Sequence, residues 1–187
     1  MPTLPTFFVS MAVTSKLKTD LYFSPTLTMC WLTVLAQQQT QYGKQPDGSY
    51  KADPAKVKAA IAGGKTIGSG QCVALCRFLS GAPNSGTWEA GKHALDLTDA
   101  DIGTAIATFD STGHYPSDGD PLGKNSAIFM GRGAQGSIWV VDQWPVGDGP
   151  RGTHQPFLHE VIYHDPNEKV PSLRSNNSNA YYVIRVP

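Results

Sequence analysis

The chain has 187 residues and carries fifteen lysines and arginines against fifteen aspartates and glutamates. It therefore has no net field to draw in nucleic acid or an anionic membrane, and no local basic run supplies one. The length suits one sizeable core. Three cysteines, two of them helical neighbours, do not make a disulfide framework, and no second Cys pair or Cys/His cluster at ligand spacing argues for a metal or any other cofactor.

Residues 1–25 alternate short apolar clusters with Pro2, Pro5 and Pro25 and read as an irregular arm. Their opening lacks a positive n-region and a long apolar run, so no secretory signal is expected and localisation stays open, export by a dedicated machine or release by lysis included. Ser24-Pro25 marks a helix start ahead of the apolar segment 26–36, which holds Cys30 and Trp31 and is too short to span a bilayer. That helix is expected to end before Gly43, and Asp47-Gly48 then signals a hairpin turn. In residues 53–63, Asp53 offers an N-cap, Pro54 suits the first helical position, Ala, Lys, Val and Ile follow, and Gly63 stops the run.

The next stretch, Gly68-Ser69-Gly70-Gln71-Cys72-Val73-Ala74-Leu75-Cys76-Arg77-Phe78-Leu79-Ser80-Gly81, reads as a helix with a thiol in its first turn. Gly70 and Ser69 supply flexible backbone and an N-cap, Gly81 a stop, and Val73, Leu75, Cys76 and Leu79 a buried face. At a helix N-terminus unpaired N–H groups and the positive end of the macrodipole favour a thiolate, which makes Cys72 a candidate nucleophile. The competing reading is a small core residue, and Cys76, one turn on, is assigned to packing.

Beyond Gly81 β structure is expected to dominate. Pro83-Asn84-Ser85-Gly86 is a turn, residues 103–109 form a strand, and 126–130 with 137–143 form a hairpin across a glycine-rich loop. Residues 160–164 and 180–186 complete the strands. Helices followed by antiparallel strands predict an α+β domain with the cysteine helix packed on one face of the sheet.

Several separated motifs carry a resemblance. Gly70-Gln71-Cys72-Val73-Ala74-Leu75, Gly81-Ala82-Pro83-Asn84 with Trp88 and Gly91, Gly103-Thr104-Ala105-Ile106-Ala107-Thr108-Phe109 and Ile138-Trp139-Val140-Val141-Asp142-Gln143-Trp144 occur in that order. They resemble a small bacterial family of NlpC-like cysteine amidases, related to the CHAP amidases and papain-like in fold. The resemblance covers residues from Gly68 onward, leaving 1–67 as an N-terminal extension to an NlpC-like domain at 68–187. It implies cleavage of a peptidoglycan amide by a cysteine, with Cys72 as nucleophile, a histidine base from the first strands of the sheet and a polar residue, here Asp142, to orient that base.

The segment similar to the family's Gly-Asn-His-Ala-Ala-Ile-Phe reads Gly123-Lys124-Asn125-Ser126-Ala127-Ile128-Phe129, with Asn125 where the histidine would stand. An amide accepts no proton near neutral pH. Of the five histidines, His114 precedes this strand by a loop and is the substitute best placed to swing toward Cys72, while His93, His154, His159 and His164 lack a motif. Asp142 also has a plainer reading as a strand-end aspartate making turn hydrogen bonds.

The implied partners are a peptidoglycan peptide or similar peptide, with a protein carrier or inhibitor as a second class, and neither nucleic acid nor a membrane span. Three functions stay open: an active cysteine hydrolase of effector, lysin or wall-remodelling type, a pseudoenzyme that keeps the papain-like groove, and an interaction domain whose extension docks on a carrier.

Overall fold

The structure, a computed structural model, describes residues 42–118, 120–144, 155–165, 167 and 173–187. The expected arm, the helix from Ser24-Pro25, Cys30 and His154 lie outside the described residues. Strands β1 (Gly43–Lys44) and β2 (Tyr50–Lys51) pair antiparallel around the Asp47-Gly48 turn, where Gly48 takes a φ of 83°. Helix α1 (Pro54–Gly63) is built as its sequence dictates: Asp53 accepts from the Ala55 N–H at 2.8 Å, Pro54 fills the first position and Gly64 closes the helix in the left-handed region. Helix α2 (Cys72–Ser80) ends at Gly81, also left-handed, but its N-cap is Gln71, with no side-chain cap, rather than Ser69.

Six strands form one antiparallel sheet in the order β3 (Glu89–His93), β8 (Tyr181–Arg185), β4 (Ala105–Thr108), β5 (Ser126–Arg132), β6 (Ile138–Asp142) and β7 (Phe157–Val161). β5 and β6 are the expected hairpin. Strand β7 starts earlier than its apolar residues suggest and stops at Val161, because its partner β6 runs only from Ile138, opposite Val161, to Asp142, opposite Phe157. Ile162 and Tyr163 lie beyond that pairing and are exposed. β3, whose Glu-Ala-Gly-Lys-His sequence has no apolar alternation, was not expected and occupies the sheet edge against β8.

The sheet is buried on both faces, which the period-two alternation of β4 makes plain. Ala105 and Ala107 face Val57, Leu75, Cys76, Leu79 and Trp88, whereas Ile106 faces Phe129, Val140, Tyr181 and Val183. Both helices thus cover one face, α2 lying over β5 with Cys76 Sγ 3.9 Å from the Ala127 carbonyl oxygen. Residues 43–67 are continuous with this core: Val57 is fully buried, Ala52 donates its N–H to the Gly103 oxygen at 2.8 Å, and Val186 donates to the Gly48 oxygen at 3.0 Å. This is the α+β papain-like architecture expected from the sequence. Among the described residues no helix is long and apolar enough to cross a membrane, and no cluster of three metal-ligating side chains occurs.

Gly103 is the tightest backbone approach in this junction. Its φ is 96°, and a Cβ there would stand 2.4 Å from the Ala52 oxygen. Gly103→Ala should therefore cost about 1–3 kcal/mol of stability, as strain plus loss of the Ala52 pairing. Urea unfolding measures it; an unchanged midpoint would contradict this account of the junction.

Candidate active site

Cys72 opens α2 and is half-buried, while Cys76, one turn on, is fully buried. The two thiols have separate fates. Burial, and then the neighbouring Cys72, push the Cys76 thiol far above its ordinary range, so it is an inert core group as its position predicts.

Two cavities meet at Cys72. The larger, about 710 Å³, is lined by Gln71, Cys72, Lys124, Asn125, Trp144 and Asn176 among others. The second, about 520 Å³, shares Gln71, Cys72 and Lys124 and adds Arg77, Tyr115 and Asp118. Cys72 thus stands on the wall that the two cavities share. Because Cys72 lies in the first helical turn, its N–H has no partner four residues back, and backbone donors there can meet an oxyanion formed at the sulfur.

Asn125 immediately precedes β5 and is 3 % exposed. Its Nδ2 donates to Asp142 Oδ2 at 2.6 Å and to the Tyr181 hydroxyl oxygen at 2.9 Å, and Tyr181 in turn donates to the Ser175 carbonyl at 2.9 Å. Both N–H donors of the Asn125 amide are committed, leaving its carbonyl oxygen as the polar atom for a ligand. Asp142, the last residue of β6, is fully buried, and among the described residues its carboxylate meets Asn125 and His159 across the sheet rather than turn backbone. Its second oxygen, Oδ1, lies 3.0 Å from His159 Nε2 on β7. Burial raises the Asp142 pKa, and hydrogen bonding and charge from His159, with the Asn125 donor, work against that rise. The same burial, together with the Asp142 charge, holds the Tyr181 phenol well above its ordinary value.

The structure thus brings Cys72 and Asn125 to one cavity and puts Asp142 directly behind Asn125, but it does not bring His114 to the thiol. His114 is exposed. Its backbone bridges to Glu89 and donates to Asp110 Oδ1 at 3.1 Å, and it is the next residue, Tyr115, that turns inward. The Tyr115 hydroxyl lies 3.8 Å from Cys72 Sγ, and its ring is packed edge-on against Trp88 at 5.2 Å between centroids. Burial, followed by the Cys72 charge and hydrogen bond, raises the Tyr115 phenol above its usual range. The remaining described histidines are placed elsewhere: His93 against the Asn179 carbonyl at 2.9 Å, His159 on Asp142, and His164 bonded through its backbone to Asn177.

Tyr115, Tyr181 and His159 carry no sequence signal of their own, and Gln143 enters only as part of the Ile138–Trp144 motif, with no role assigned to it. Gln143 is fully buried directly after β6. Its amide accepts from the Ile67 N–H at 3.2 Å and donates to the Ile67 oxygen at 2.6 Å and the Gln71 oxygen at 3.2 Å. It therefore pins the backbone that leads into α2 and fixes where Cys72 stands.

Residues 46–184 match the family model described as domesticated amidase effector 2. A type VI secretion amidase effector 2 protein of Salmonella typhi is 29% identical over 115 residues, covering 61% of this chain and 84% of that protein. The solved structure of a type 6 secretion amidase effector 2 superposes with a TM-score of 0.53 at 23% identity, covering 69% of this chain and 93% of the other; at that identity the likeness bears on the fold alone.

Gln143→Leu should leave three backbone groups of Ile67 and Gln71 without their partner, a loss of about 1–3 kcal/mol in stability. It should also broaden or shift the amide resonances of residues 67–73 more than those of the distant β3 edge. Uniform shifts across the sheet, or none at 67–73, would contradict the pinning role.

Proposed function

The chain belongs to the domesticated amidase effector 2 family, and from that premise we propose that it is a cysteine-dependent amidase or endopeptidase of peptidoglycan peptides. The observation that carries this reading is the placement of Cys72 in the first turn of α2, on the wall shared by two cavities. In this reading the Cys72 sulfur attacks the scissile carbonyl carbon, giving a tetrahedral intermediate whose oxyanion meets the backbone donors of the helix start. Collapse of that intermediate expels the amine, which must gain a proton, and water then releases the acyl group from sulfur.

The proton transfers are where this site is poorly equipped. Asn125 takes the place at which the resemblance puts a histidine, with Asp142 behind it as the orienting residue, and an amide moves no proton. Tyr115 is the polar side chain against the sulfur, and its raised pKa makes it a hydrogen-bond partner for the thiol rather than a proton shuttle near neutral pH. Loss of general acid–base help lowers turnover by about 10² to 10⁴, and that deficit favours a second reading: a pseudoenzyme that binds a peptide in the groove without cutting it. An effector of this kind would have peptidoglycan as its target and a carrier or inhibitor protein as its partner.

Peptidoglycan digestion followed by fragment chromatography separates the two. The amidase reading predicts slow release of amide-cleaved fragments by the wild type, none by Cys72→Ala, and a rise of about 10² or more in Asn125→His, where an imidazole would stand against Asp142. Cleavage that survives Cys72→Ala overturns the cysteine mechanism. Binding without any release, restored to cleavage only by Asn125→His, selects the pseudoenzyme.

A further inference from the structure

Lys124 borders both cavities at Cys72, and in the larger one it is the sole charged side chain among the described lining residues. Its side chain is 27% exposed. The ammonium is set in place by two groups that leave its charge intact: the Pro116 carbonyl oxygen at 3.1 Å and the face of the Tyr115 ring at 5.3 Å to the centroid. Tyr115 is the residue whose hydroxyl meets Cys72, so the cation and the sulfur are held by one ring.

The remaining partner is of another kind. Asp118 Oδ1 lies 2.5 Å from Lys124 Nζ, yet the Asp118 side chain is fully in water and lies on the wall of the second cavity. Lys124 holds the Asp118 carboxyl below its ordinary value, so it is a carboxylate at any pH near neutral. An ion pair with one partner so exposed is weak and easily exchanged.

Resting on the amidase reading above, we propose that Lys124 is a recognition site for a free carboxylate of the bound peptide, and that Asp118 occupies it from within the chain until the peptide displaces it. Peptidoglycan stem peptides carry free carboxylates beside their amide bonds unless these are amidated. In this proposal a carboxylate docked on Lys124 holds the peptide in the cavities that Lys124 and Cys72 both line. The reaction itself needs nothing more from Lys124: no bond to it forms or breaks, and it acts on selection of the peptide.

The test is binding, so that it does not depend on turnover. Calorimetry on the full chain carrying Cys72→Ala compares a peptidoglycan tetrapeptide with free carboxylates against the same peptide with every carboxylate amidated. The free acid should bind about tenfold tighter, as a charge-assisted contact would give. Lys124→Gln should abolish that preference by weakening the acid alone, and Asp118→Asn should enlarge it by removing the internal competitor. A preference that survives Lys124→Gln overturns the proposal, as does equal binding of the two peptides, and either result leaves the amidase reading standing. If Asp118→Asn weakens the acid, the Lys124–Asp118 pair is a structural tie of its loop and the proposal falls. Failure of both peptides to bind removes the peptide reading and the proposal together.

Discussion

The site depends on the few residues at the end of β6. Asp142 ends β6 and Gln143 follows it directly, and these two adjacent side chains govern two structures at once. Gln143 reaches toward the helices and holds the backbone of Ile67 and Gln71, which sets the start of α2 and so Cys72. Asp142 reaches into the other face, where it gathers Asn125 and His159. The nucleophile candidate and the polar group behind its cavity are thus referred to one short piece of chain, although Cys72 and Asp142 are seventy positions apart.

The electrostatics follow from the same burial. Asp142 is removed from water with donors on both oxygens, which is the arrangement a buried carboxylate requires, and burial still raises its pKa. Cys76, Tyr115 and Tyr181 are likewise shifted upward with burial as the leading cause. Beside these buried groups, the ammonium of Lys124 is the conspicuous charge on the larger cavity's described wall.

What could be read from residues alone tracks how local the physics is. Helix α1 was legible because its cap and its proline act within one or two residues, although the helix runs through Gly63 and closes on the left-handed Gly64 one residue later than expected. The hairpins at Asp47-Gly48 and 131–136 were legible for the same reason. Strand β3 was not, since its pairing with β8, ninety residues on, supplies what its own sequence lacks. The end of β7 was misplaced because strand length is set by the partner β6 and not by the apolar run. The place of Cys72 at the start of α2 was legible through its helix; Tyr115 was missed beside His114, because nothing in Gly-His-Tyr-Pro says which of two adjacent side chains turns inward until Trp88 and Phe109 are seen packed against the tyrosine. His159 and Tyr181 became part of the site only through contacts across the sheet.

The central claim is that the two helical thiols have opposite roles, Cys72 open to a groove and Cys76 sealed in the core. Brief alkylation of the native protein, with the labelled positions mapped by mass, tests it most directly. The account predicts that Cys72 is labelled first and that Cys76 becomes reactive only when the protein is unfolded. Equal labelling of the two in the native state, or a native Cys72 that resists the reagent, would contradict it.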